Sequence, residues 1–241
     1  MTTIERRVRI FRDSDAFNPR EEYDCNVGRM LCWHSRYNLG DEHNYDSDTW
    51  KEELACEADA DLADKLEELR ENVWDAIYSC LVWDGNVNSE DANLIADRRV
   101  EARCNELIDR AFDDGYVALP LYLYDHSGIT MNTGGFSCGW DSGCVGVIVC
   151  TKEQVQEEWG GDEDKAKHWL RIEVETYDHY LTGNVWGFSA EEREEGDWED
   201  DEGWEEVDGC GGGIFGDYDC IKDELGADFA DAFESAEISY A

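Results

Sequence analysis

The sequence predicts an α+β fold: a single domain over 1–241 in which a mixed or antiparallel sheet packs with several helices, including an αα-hairpin. Three observations predict it. Two long segments carry apolar residues at helical spacing, and four shorter ones read as strands. Ten Trp, eleven Tyr and eight Phe in 241 residues are more large rings than a disordered acidic chain carries.

Ile4–Arg12 (IERRVRIFR) alternates Ile4, Val8 and Ile10 with polar residues and reads as a first strand, with four Arg against Glu5. Residues 13–56 mix aromatics and turn formers without a period. They predict irregular structure with one short strand or helix around Met30–His34. The clearest helix follows. Leu62, Leu66, Leu69, Val73, Ile77, Cys80 and Leu81 recur at three and four, Asp59 or Asp61 caps the start, and Asp84-Gly85-Asn86 ends it. A second helix begins near Ser89, with Glu90 and Asp91 in its first turn. Leu94, Ile95, Val100, Leu107, Ile108 and Phe112 form its apolar face, and Asp114-Gly115 stops it with Gly at C′. The short connection makes the two an αα-hairpin.

Tyr116–Tyr124 (YVALPLYLY) is the most apolar run and predicts a buried strand, as does Gly143–Thr151. Between them lies Asp125–Ser142, a long loop of the kind that carries function. Lys152–Trp159 reads as a short helix. Asp164–Leu181 reads as a longer one, with Trp169, Ile172, Val174, Tyr177 and Tyr180 in partial stripes, and Asn184–Ser189 as a strand. Residues 191–208 hold twelve acids and one Arg. Like charges repel and extend, so this segment reads as an acidic loop or insertion, in which Trp198 and Trp204 stand out. Gly209–Asp217, with five Gly, predicts a Gly-rich strand, turn or bulge, and a final acidic helix lies near Ile221–Phe233.

Sixty acids against twenty Lys and Arg leave a net charge of −40. So few cations exclude direct binding to a nucleic-acid backbone and to an anionic membrane surface. No run approaches the roughly 20 apolar residues of a membrane span, and no apolar run follows the basic N-terminus, so a cytosolic protein in the host cytoplasm is expected. Ten Cys without a two-residue spacing predict reduced, buried thiols. Only 6 of the 20 cations are Lys, which fits solubility in very high salt. A surface that imitates a polyanion explains the same charge, and both readings stand.

Three sets of side chains could carry chemistry. Asp125, His126, Cys138, Asp141 and Ser142 hold the residue types of a hydrolase, with Cys138 or Ser142 as nucleophile and His126 as base. Asp125, His126 and Ser127 are adjacent on an extended chain and cannot form a triad among themselves. Asp125, His126, Asp141, Glu175 and Asp178, with His179 beside the last, could assemble an oxygen and nitrogen metal site if two segments meet. No cofactor is predicted, only weak binding of divalent or monovalent cations by the acidic surface. No phosphate-binding loop or dinucleotide fingerprint occurs. Glu194, Glu195, Asp197, Trp198, Asp200, Asp201 and Trp204 are the candidates for binding a partner, acids for its charge and indoles as anchors.

Several long motifs, about a third of the chain, carry a resemblance. They are Leu121–Met131 (LYLYDHSGITM), Cys138–Gly143 (CGWDSG) with Val145-Gly146, Glu173–Phe188 (EVETYDHYLTGNVWGF), Cys210, and Gly213–Gly216 (GIFG). A weaker likeness covers Cys32–Asp41 (CWHSRYNLGD). In these the chain resembles a widespread family of uncharacterised tailed-phage proteins. It departs from that pattern at Gly139, where Pro is usual, at Cys144, where a polar residue is usual, and at His179, where Gln is usual. The resemblance implies a viral origin and a single α+β fold, and carries over no catalytic residue. With the salt-type composition it implies a virus of a salt-loving host or of an actinobacterium.

The expected function is that of a viral accessory protein that binds and inhibits a host protein with a basic nucleic-acid-binding surface, a DNA mimic acting against host defence. The alternatives are a metal-dependent or Cys/His hydrolase with its site in 125–142, and a salt-adapted virion or assembly protein without mimicry.

Overall fold

The structure, a computed structural model, describes residues 3–84, 87–196, 198–199 and 202–240. In chain order the elements are β1 (Ile4–Arg12), α1 (Pro19–Glu22), β2 (Arg29–Cys32), α2 (Trp50–Ala58) and α3 (Leu62–Glu68). A π-turn (Leu69–Val73) leads into α4 (Trp74–Trp83), then come α5 (Ser89–Gly115), β3 (Tyr116–Asp125), β4 (Ile129–Asn132) and β5 (Ser142–Thr151). The chain continues through α6 (Lys152–Trp159), α7 (Glu163–Thr182), β6 (Val185–Glu194), β7 (Glu205–Phe215), α8 (Ile221–Glu224), α9 (Ala230–Phe233) and β8 (Glu237–Ser239). The class is α+β, with sheets ordered β7-β6-β1-β8 and β2-β5-β3-β4. Among the described residues no helix is long and apolar enough to cross a membrane.

Contacts divide the chain into two compact units. One comprises Met1–Asn26, Pro120–Gly146 and Trp169–Ala241, and the other Val27–Leu119 and Val147–His168. In the second, α2, α3 and α4 pack along α5, and α4 with α5 is the expected αα-hairpin. Leu54, Leu62, Leu66, Val100, Ile108 and Phe112 fill its core. Asn88 caps α5 by accepting from the Asp91 N–H at 2.9 Å. Gly115 is the last helical residue rather than a left-handed cap, and a Cβ there would stand 2.4 Å from Ala58 Cβ. Close approach of α2, not turn conformation, is therefore what requires glycine. Thr151 and Gln154 form a capping box at the start of α6.

A polar network closes this unit. Arg29 donates to the Tyr45 hydroxyl at 2.9 Å, and Tyr45 donates to Glu57 at 2.6 Å. Tyr116 donates to the other Glu57 oxygen at 3.2 Å. Burial, then the Glu57 carboxylate, pushes the Tyr116 hydroxyl up to about 12. Desolvation raises the Glu57 carboxyl, but the bond from Tyr45, the Arg29 charge and the bond from Tyr116 outweigh it, so its pKa lies below the ordinary 4.5. A depressed carboxylate stabilises the fold above its ordinary pKa, and that contribution is lost as pH falls through the depressed value. We expect Glu57→Gln to flatten the acid limb of stability below about pH 4.5, read by urea melts across pH. Parallel limbs in the two proteins would contradict the network.

Several expectations are corrected. The helix expected from Leu62 runs without interruption to Trp83, but its middle is the π-turn, which winds an extra residue into the ladder and changes the face that follows. Leu62 and Leu66 are buried, whereas α4 buries no residue. Residues 13–56 hold the short element expected around Met30–His34, the strand β2, but also α1 and most of α2. α2 escapes the pattern because only Leu54 and Ala55 of its nine residues are buried. Residues 125–142 are not one loop, since β4 pairs antiparallel with β3. The acidic segment is not loop throughout, being strand at both of its ends. Glu191–Glu194 continue β6 and Glu205–Asp208 begin β7. Like-charged residues oppose each other there, Glu192 to Glu205 and Glu191 to Glu206, and arginines from β1 offset the repulsion. The C-terminal helix is broken at Leu225-Gly226, where the backbone turns extended, into α8 and α9. Of the ten cysteines only Cys104 and Cys150 are buried, and Cys25, Cys80 and Cys144 are exposed. The expected bulge among the glycines is present. Between the pairs Trp186–Ile214 and Phe188–Cys210 the three residues Gly211–Gly213 face the single residue Gly187, two more than a regular ladder holds. There Asp13 accepts from the Gly213 N–H at 3.0 Å, and Gly212 has φ +155° where a Cβ would strike Asp13.

Candidate functional site

The sheet β7-β6-β1-β8 alternates as strands must, and its two faces do different things. On one face Val8, Ile10, Trp186, Phe188 and Ala190 are buried under Ile221, Phe229 and Phe233. The alternation continues past that cover. Ile4, two residues beyond Arg6, pairs with Glu194, and Arg6 with Glu192. A cleft of about 400 Å³ opens there, lined by Ile4, Glu192, Arg193, Glu194, Trp198, Gly203, Glu205 and Val207. Val207 is the extra residue of a second bulge, between the pairs Ala190–Asp208 and Glu191–Glu206. A bulge re-aims a side chain, and here an apolar one lines the cleft instead of continuing the acidic ladder. Ile4, Trp198 and Val207 are all exposed.

The Trp198 indole is held rather than loose. Its N–H donates to the Glu194 carbonyl at 2.7 Å, and a Cβ on Gly203 or Gly196 would fall within 2.9 Å of the ring. Glycine at those two positions is what lets the ring lie against the hairpin. Glu192 is paired with Arg6 at 2.7 Å. Among the described residues no cation pairs with Glu194 or Glu205. The cleft thus combines a fixed aromatic face with two carboxylates, Glu194 and Glu205, that no described cation pairs. Such a site suits a cationic side chain carried on an apolar surface.

The opposite face is closed on itself. Arg7 pairs with Glu191 and Arg193 with Glu5. Both guanidinium groups lie over the Trp204 ring, at 4.3 and 4.4 Å from its centroid. Trp204 is half-buried in this clamp and does not line the cleft. Of the expected partner-binding residues, then, Glu194 and Trp198 meet in the cleft. Glu195 follows the end of β6, its N–H bonded to the Thr3 carbonyl at 2.9 Å. Asp197, Asp200 and Asp201 lie outside the described residues. The additional lining residues Ile4, Glu192, Glu205 and Val207 follow from strand register. The two-residue spacing of Glu192 and Glu194 is the signal that could have found the first of these acids.

The other candidates are placed as follows. Asp125 ends β3, and its N–H donates to the Asp141 carbonyl at 2.8 Å. His126 Nδ1 stands 3.4 Å from Asp141 Oδ2, both side chains exposed. Ser142 donates its hydroxyl to the Cys138 carbonyl. Among the described residues neither Ser142 nor Cys138 is hydrogen-bonded to His126. A neighbouring cleft of about 430 Å³ is lined by Tyr122, Phe136, Ser137 and Ser142 among others, without His126 or Asp141. Asp178 accepts from Thr130 Oγ1 at 2.8 Å and from the Met131 N–H at 2.6 Å, which ties α7 to β4. Glu175 is exposed. Among the described residues no group of three or more His, Cys, Asp and Glu is arranged to hold a metal ion. Set against protein-family models, curated proteins and solved structures, the chain matches none of them.

Proposed function

We propose that this chain is a viral accessory protein that binds and inhibits a host nucleic-acid-binding protein, offering carboxylates where that protein's basic groove takes phosphates. The observation that carries the reading is the cleft at the end of the β6–β7 hairpin, where Glu194 and Glu205 lack a cation partner beside an immobilised Trp198. Glu192 and Glu194 are two residues apart on one strand, about 6.8 Å, and Glu205 stands directly across from Glu192. The overall −40 charge speeds encounter with a basic surface, and the cleft then fixes one orientation. Exposed carboxylates contribute little in water, but carboxylates desolvated around a guanidinium contribute much more. The Trp198 ring supplies the apolar anchor such contacts cluster around.

The test is capture from host lysate at low and high salt, with wild-type protein and an E194Q/E205Q/W198A variant. Recovery of a nuclease or other DNA-binding protein, competed off by duplex DNA and reduced at least about tenfold by the variant, supports the reading. Empty capture at every salt concentration overturns it. So does equal capture by the variant, which would leave the charge as salt adaptation alone.

A further inference from the structure

Helix α4 packs only part of its apolar surface, Trp74 and Ile77, against the core and leaves the rest uncovered. Eight of the ten residues in WDAIYSCLVW are apolar or aromatic, yet none is buried. Trp83 is 91% exposed, Val82 is exposed beside it, and so is Leu94 on α5. Exposed apolar side chains adjoining one another, as Val82 and Trp83 do here, normally mark a surface that a partner covers. A groove of about 500 Å³ runs beside it, with Trp74, Val100 and Cys104 on its apolar side and Arg70, Asp97 and Glu101 on its polar side. The π-turn that sets the face of α4 is itself a feature found mostly at working sites.

The surrounding charge says what covers this face. From 61 to 84 the acids at 61, 64, 67, 68, 71, 75 and 84 are all exposed. The two cations in that span are already used, Lys65 on Asp59 and Arg70 on Glu52. A second copy of the chain would bring two such acidic rims together. A helix with an apolar stripe flanked by Lys and Arg complements both features at once. We propose that α4 and its groove receive a basic amphipathic helix of the partner protein, with Val82 and Trp83 in contact with the apolar stripe. The inference rests on the reading of a basic partner and adds which structural element of that partner is gripped.

Two labelled 18-residue synthetic peptides test it, one with Leu at i, i+3, i+4 and i+7 among Lys, and one of the same composition scrambled to remove the stripe. Titrations are run in about 0.5 M salt to screen charge alone. Wild-type protein should prefer the striped peptide by about tenfold or more. V82S/W83S should reduce that preference to about twofold or less without moving Tm, because both side chains are exposed, and E194Q/E205Q should leave it unchanged. No preference in the wild type, or one untouched by V82S/W83S, overturns the proposal. A concentration-dependent dimer in sedimentation velocity that V82S/W83S abolishes also overturns it, in favour of a second copy. The peptides require no host protein, so failed lysate capture with a retained peptide preference removes the cleft reading alone, and the reverse removes this one alone.

Discussion

Arg20→Ala is expected to lower stability by about 3–5 kcal/mol, the usual cost of removing one partner of a buried ion pair. The Arg20 side chain is 2% exposed and that of Glu173, 2.7 Å away, is 12% exposed. The same guanidinium donates to Asn26 at 3.0 Å, and Asn26 in turn donates to the Pro19 and Tyr23 carbonyls at 2.8 and 2.9 Å. One arginine therefore ties the four-residue α1, too short to persist alone, to the long α7. Without it a shielded carboxylate loses its counter-charge and the loop loses its organiser. For a chain of this size the loss corresponds to roughly 6–20 °C in Tm. Two controls separate the causes. Glu173→Gln keeps an oxygen acceptor and removes the charge, so it should cost less than Arg20→Ala. Raising salt to 1 M should leave the Arg20→Ala deficit nearly unchanged, since buried pairs are poorly screened. The exposed Arg110–Asp114 pair, 3.7 Å apart, is the contrast, and its removal should cost at most about 0.5 kcal/mol. A melt of Arg20→Ala within 2 °C of wild type would show that the pair is not what seats α1.

Local pattern explains most of the elements. β1, α5, α6 and α7 follow from periodicity, with capping residues at the starts of α5 and α6, because each carries its apolar residues at the spacing of its own element. Pattern fails where tertiary context overrides it. The residues of α4 keep a helical period, but nothing in the sequence shows that a π-turn shifts the face that follows, so that only Trp74 and Ile77 of α4 pack on the core and no residue of it is fully buried. In residues 191–208 charge density hides the strands. Alternation is invisible when both faces of β6 and β7 carry Glu, and the arginines of β1 that offset them lie more than 180 residues away. The Gly-rich stretch is legible as a bulge, whereas its partner Asp13 is not, being 200 residues distant.

The site was half legible for the same reason. Acids and tryptophans mark 191–208 as unusual, but sequence cannot distinguish the tryptophan that faces a cleft from the one that is clamped. Trp204 lies between Arg7 and Arg193, and only the pairing of β1 with β6 brings those arginines together. Asp178 stood out as a metal ligand by its chemistry, while the structure shows it fastening the β4 backbone.

Trp186→Ala should cost about 3–5 kcal/mol, and the reason separates fold from function at the two ends of one hairpin. Trp186 is buried in the core of the sheet β7-β6-β1-β8, where its N–H donates to the Gly216 carbonyl at 2.9 Å. Tyr218 and Tyr240 meet it edge-on at 6.1 and 5.9 Å, and the Arg12 guanidinium lies 5.4 Å from its ring centroid. Arg12 donates through Nη2 to Asn184 at 3.2 Å, and among the described residues its buried Nε has no hydrogen-bond partner, so the ring adds to that cation's compensation. Trp186→Phe keeps most of the packing and loses the bond to Gly216, at a cost of about 1–3 kcal/mol. Urea denaturation should show lower midpoints with unchanged slope for both, in that order. If Trp186→Ala and Trp186→Phe are equally destabilised, the hydrogen bond rather than the packing dominates, and the packing argument fails. Partner capture then discriminates between the two tryptophans. Trp186→Ala should weaken capture only in proportion to the unfolded fraction, and capture should recover in conditions that restore the fold. Trp198→Ala should weaken capture at a nearly unchanged midpoint, because that indole is exposed and rests on the hairpin surface, outside the core. A Trp198→Ala protein that loses stability as Trp186→Ala does would make the cleft tryptophan a structural residue and deprive the proposed function of its anchor.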